Sequence, residues 1–109
     1  MRDFSHTVST DGDRLVVSAK GELDTHTAVE FKRALLELIE DNAEIVVDLG
    51  GLTFIDSSGL SVFIAAHKRS LPRGARVLLD GVPPFLSRIL AITGLNAVIP
   101  LLGGAPEPA

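Results

Sequence analysis

The chain contains no cysteine, tryptophan or tyrosine. Without thiols it has no disulfides, thiolate metal sites or cysteine nucleophile. Its aromatic residues are five phenylalanines, so it lacks the stacking platforms usual in single-strand nucleic-acid binders. Basic residues are in the minority, with 10 Lys and Arg against 14 Asp and Glu and a formal charge of −4. General nucleic-acid and membrane-surface binders carry a basic excess or stripe, so neither a nucleic acid nor a membrane is expected as a partner. No apolar run approaches the roughly 18–20 residues of a membrane span. The start, Met1-Arg2-Asp3-Phe4-Ser5-His6, lacks the apolar core of a signal peptide. A cytoplasmic protein is expected, and the missing disulfides fit that compartment.

What is present is enough for one core. The 109 residues suit a single domain, and a hydrophobic content of 46% predicts folding rather than disorder. Residues 4–102 are expected to form that domain. Gly103-Gly104-Ala105-Pro106-Glu107-Pro108-Ala109 reads as a flexible C-terminal tail.

Phe4 to Ser9 and Arg14 to Lys20 flank Thr10-Asp11-Gly12-Asp13, a hairpin signal. Ala28, Phe31, Leu35, Leu38 and Ile39 recur at helical spacing. Thr27 and Glu30 match a capping box at the start of that helix, with Asp24 or Thr25 as alternative caps. Ile45 to Leu49 shows no polar alternation before Asp48, the pattern of a strand buried on both faces. A turn is expected at Gly50-Gly51, then a helix from about Ser58 to Arg69 with Leu60, Phe63, Ile64 and His67 on one side. Arg76 to Leu79 is the next strand. Pro83-Pro84 opens another helix, which Gly94 stops. Ala97 to Leu102, broken by Pro100, reads as a last short strand. The order β-β-α-β-α-β-α-β predicts an α/β fold, a mixed sheet with helices packed on it.

The segment Phe54-Ile55-Asp56-Ser57-Ser58-Gly59-Leu60 stands where a strand hands over to a helix. The first N–H groups of a helix lack intrahelical acceptors, and its dipole is positive there, so a phosphate added at this place finds ready partners. Serine is also a common N-cap, but Asp56 can serve as that cap and leave both hydroxyls spare. Gly59 costs roughly 1 kcal/mol against alanine inside a helix, and its missing side chain would let another protein approach the neighbouring serine. A hydrolase nucleophile is disfavoured because the Gly-x-Ser-x-Gly elbow is absent. None of His6, His26 and His67 sits in a recognisable triad context. Asp24 and Asp56 each end an apolar segment. Each is a candidate cap, and as neighbours they could bind a metal or do acid–base work, although no spacing specifies it. His67-Lys68-Arg69 and Arg73 complement the dipole at the end of the second helix.

Val46-Val47-Asp48-Leu49, Leu52 and the Phe54-to-Leu60 segment, preceded by Gly21-Glu22-Leu23-Asp24 and followed by Gly94-Leu95, resemble the STAS domain of bacterial anti-sigma factor antagonists. The resemblance covers roughly residues 4–101. It implies a STAS-like fold and a non-enzymatic switch in stress-response or sporulation control of transcription. In that family the unphosphorylated antagonist binds an anti-sigma factor that is also a serine kinase, which frees the sigma factor. Phosphorylation separates the pair and a serine phosphatase resets it. The phospho-acceptor carries over to Ser58, with Ser57 second. Asp24, Asp56, Ser57, Ser58, Gly59 and Leu60 carry over as the partner-binding surface. No cofactor is implied, and a monomer or weak homodimer is expected. Ser61 stands where many members have glycine, and the Gly/Pro tail stands where many continue into a last helix. The alternative is a STAS scaffold or transporter-partner subunit that binds a protein other than a kinase.

Overall fold

A computed structural model describes residues 3–102; the tail expected at 103–109 lies outside the described residues. Within them, the elements are β1 (Phe4–Asp11), β2 (Arg14–Leu23), α1 (Thr25–Asp41), β3 (Glu44–Ile55), α2 (Ser57–Ser70), β4 (Arg76–Asp80) and α3 (Pro84–Thr93). Short 3-10 turns follow α2 at Leu71–Arg73 and α3 at Leu95–Ala97. The sheet order is β1-β2-β3-β4. The Asp-Gly hairpin pairs β1 with β2 antiparallel, Asp11 opposite Arg14. β2 with β3 and β3 with β4 are parallel. This is the α/β mixed sheet that the sequence predicts.

Each helical crossover joins neighbouring strands, and the order advances in one direction. Right-handed crossovers therefore deliver α1 and α2 to the same face. The core lies there. Val17, Ala19, Ile45, Val47, Leu49, Val77 and Leu79 from the strands meet Phe31, Leu35 and Ile39 of α1, Val62, Phe63 and Ala66 of α2, and Leu86 and Leu90 of α3. Val46 and Leu78, opposite each other in register, point the other way and stand outside this cluster, though each is only 3% exposed. The unbroken apolar run in β3 therefore has buried side chains on both faces, while the buried apolar residues of the helices all belong to one cluster. Below Val46, Glu44 pairs with Arg14 and with Arg76 on the flanking strands.

Several expectations change. Gly50-Gly51 is not a turn, since β3 runs on through it to Ile55. The register with β2 shifts twice, between Ser18 and Lys20 and between Gly21 and Glu22, so β3 takes extra residues as bulges. The α1 cap is Asp24, not Thr27. Asp24 accepts from the N–H groups of His26 and Thr27, and Thr27 completes the box as its N3 residue, while Glu30 pairs with Arg33. The buried face of α2 is Gly59, Val62, Phe63, Ala66 and Ser70, and Leu60, Ile64 and His67 are half-buried beside it. The last strand shrinks to one parallel bridge between Leu79 and Leu101. Pro100 has no N–H to donate, and residues 95–97 coil into a 3-10 turn.

Candidate functional site

β2 and β3 end level with each other, Leu23 opposite Ile55. Each then gives way to an aspartate in nearly the same extended backbone, φ −122° at Asp24 and −116° at Asp56. Each aspartate caps a helix. Two helix N-termini therefore lie side by side above the same end of the sheet, with their positive dipole ends together.

Asp56 joins them. Its Oδ1 accepts the Gly59 N–H at 3.0 Å, which caps α2. Its Oδ2 accepts the Thr25 N–H at 3.1 Å, from the first residue of α1. Its own N–H donates to the Leu23 carbonyl at 3.3 Å. The Thr25 hydroxyl lies 3.4 Å from Asp56 Oδ2 and 3.1 Å from the Ser58 hydroxyl. The Ser61 hydroxyl donates to the Ser58 carbonyl at 2.6 Å. Ser57 and Thr25 are exposed, and Ser58 and Asp56 are half-buried.

Asp24 and Asp56 follow neighbouring strand ends, and their carboxylates serve as caps, Asp24 for the His26 and Thr27 N–H groups and Asp56 for both helices. Among the described residues no group of three or more His, Cys, Asp and Glu could hold a metal. The Ser58 hydroxyl meets a threonine rather than a histidine, so the activated pair of a nucleophilic enzyme is not assembled. His6 instead lies against Phe31, ring centres 5.4 Å apart. Arg69 and Arg73 reach Glu40 at 3.3 and 3.2 Å, which ties the end of α2 to α1.

Gly59 has an internal reason. A Cβ there would stand 2.5 Å from Ile55 Cγ1 and 2.7 Å from the Leu23 carbonyl oxygen. The missing side chain lets the start of α2 press onto the ends of β2 and β3. That close approach gives the glycine a reason within the fold itself.

Thr25 is the site residue that sequence reasoning missed, having been weighed only as a cap. The signal was present in the parallel runs Leu23-Asp24-Thr25 and Ile55-Asp56-Ser57, each a strand end, a cap and a hydroxyl residue. Their contact follows only once the strands are known to be neighbours.

A protein-family model described as "Mlab, STAS domain" matches residues 6–103. The chain belongs to the STAS domain family. An anti-sigma-B factor antagonist of Listeria monocytogenes is 33% identical over 90 residues, 82% of this chain and 79% of the relative. An anti-sigma F factor antagonist of Paenibacillus polymyxa is 34% identical over 89 residues, 80% of this chain and 76% of that one. The crystal structure of an anti-sigma factor antagonist from Mycobacterium paratuberculosis superposes with a TM-score of 0.82 at 26% identity, covering 91% of this chain and 85% of that one. STAS relatives of this chain thus carry the names of binding regulators, and no helix among its described residues is long and apolar enough to cross a membrane.

Proposed function

We propose that this STAS domain, residues 4–102, is an anti-sigma factor antagonist switched at Ser58. Unphosphorylated, it binds an anti-sigma factor that carries serine kinase activity, and the sigma factor is released. The kinase transfers the γ-phosphoryl group of ATP to Ser58 Oγ. ADP leaves, one proton is released and the complex separates. A serine phosphatase restores the hydroxyl. The cytoplasm is the compartment where these partners and ATP meet.

One observation carries this reading. The α2 cap is held by Asp56, so the Ser58 hydroxyl is not needed for structure and sits accessible where two helix N-termini converge. A phosphate there adds about −1.5 to −2 charge at pH 7. It arrives beside the Asp56 carboxylate and in the middle of a close interface, where desolvation and like-charge repulsion act against the partner. Removing about 3 kcal/mol of contact free energy weakens binding more than a hundredfold. The two helix starts supply positive potential there, so no refolding is required. Asp56, Ser57, Ser58 and Leu60 form the docking surface, and the buried Asp24 and Gly59 shape it from beneath, as the α1 cap and as the close-packed start of α2.

The test is intact-mass spectrometry with fragment mapping of the protein from its own host, before and after phosphatase treatment. A phosphatase-sensitive phosphate on Ser58 is expected. Ser58→Ala should abolish it and keep partner binding, and Ser58→Asp should weaken binding. A chain with no phosphate under stressed and unstressed conditions, or an unaltered affinity in Ser58→Asp, refutes the switch and favours a scaffold or transporter-partner subunit.

A further inference from the structure

The Thr25 hydroxyl stands between the Asp56 carboxylate and the Ser58 hydroxyl. A carboxylate only accepts hydrogen bonds. Asp56 Oδ2 therefore takes the Thr25 hydroxyl proton at 3.4 Å along with the Thr25 N–H at 3.1 Å. Thr25 Oγ1 also stands 3.1 Å from Ser58 Oγ, in a hydrogen bond for which either hydroxyl can supply the proton.

The post holding that hydroxyl is stiff. Threonine is β-branched and restricted at χ1, and Thr25 is anchored through both its N–H and its hydroxyl to one carboxylate oxygen. A half-exposed serine without such a partner would exchange among three rotamers. We infer that Thr25 is a positioning residue for phosphoryl acceptance: its hydroxyl fixes the rotamer of Ser58. This rests on Ser58 being the acceptor. Phosphoryl transfer has little covalent assistance from protein groups and depends on placing the nucleophile in line with the phosphorus. A wandering hydroxyl spends less time in that line.

The test compares Thr25→Val, which keeps the β-branched shape and loses the hydroxyl, with Thr25→Ser, which keeps the hydroxyl. The probe is a host kinase preparation that phosphorylates the wild-type chain with radiolabelled ATP. In Thr25→Val the expected fall in kcat is about three- to tenfold, the scale of one neutral hydrogen bond, with KM for the antagonist unaltered. Thr25→Ser should restore the rate. A kinase-free measurement accompanies it: the Hα–Hβ scalar couplings of Ser58 should report one rotamer in wild type and Thr25→Ser, and averaging in Thr25→Val. Equal kcat in wild type and Thr25→Val, or averaged couplings already in wild type, overturns the inference. A wild-type chain that takes no phosphate at Ser58 refutes the acceptor reading instead, and the couplings then decide separately whether Thr25 fixes the hydroxyl.

Discussion

Gly59→Ala sets two effects of opposite sign against each other. Alanine is the better helix former by about 1 kcal/mol, so local propensity alone predicts a more stable protein. The packing predicts the reverse. The added Cβ would meet Ile55 Cγ1 at 2.5 Å, the Leu23 carbonyl oxygen at 2.7 Å and Leu23 Cγ at 3.0 Å. Carbon contacts settle at about 3.5–4.0 Å, so something must move by roughly 1 Å. Ile55 can rotate, but the Leu23 carbonyl is fixed in the backbone and accepts the Asp56 N–H. Overpacking of this kind costs about 1–3 kcal/mol, and a clash with backbone belongs at the upper end. The net expectation is a loss of about 2 kcal/mol, which for a domain of this size lowers Tm by roughly 10 °C. Without tryptophan or tyrosine the unfolding is best followed by far-ultraviolet circular dichroism, in heat and in urea. The urea midpoint should fall with the slope unaltered. A Tm equal to or above that of the native chain would show that the start of α2 does not press onto β2 as described.

Two further substitutions test the frame around the site. Asp24→Ala removes the α1 cap and its box with Thr27, and should cost about 1–2 kcal/mol in urea unfolding; no loss would mean that α1 does not begin at Thr25. Phe31→Ala empties a position that is 1% exposed and contacts the Phe4 ring at a centre distance of 5.0 Å. A loss of about 3–5 kcal/mol is expected, read as a lowered urea midpoint, and a loss below about 1 kcal/mol would refute its place in the core.

The parts of the fold legible in the sequence are those with local causes. Gly12-Asp13 turns the hairpin between the paired Asp11 and Arg14, with Gly12 at a φ of 63° that suits glycine. α3 begins at Pro84, where proline's fixed φ suits a first turn, and ends at Gly94, whose φ of 77° suits glycine. Asp56 as a cap follows from residue type and position. The parts that were not legible belong to pairs of segments. Gly50-Gly51 has the composition of a turn, and only the register with β2 shows it to be strand with bulges. The buried face of α2 is set by the close approach at Gly59, which turns Val62 and Ala66 inward and leaves Leu60 and Ile64 half out. Leu101 needs an edge to pair with, and the single bridge it makes depends on where Pro100 leaves the chain. The site divides the same way. Ser58 and its cap are readable from one segment, whereas Thr25 enters from a second one 33 residues away.

The sheet order β1-β2-β3-β4 repeats the order of the chain. No strand has to be threaded between two that are already paired. As the polypeptide leaves the ribosome, the hairpin of β1 and β2 can close first from local contacts, and each later strand finds an open edge prepared by the one before it. Growth is one-sided, and α1 and α2 arrive in turn to cover the face just extended. The hydroxyl cluster thus draws its residues from the starts of α1 and α2 alone, and β4 and α3 support it only through the shared core.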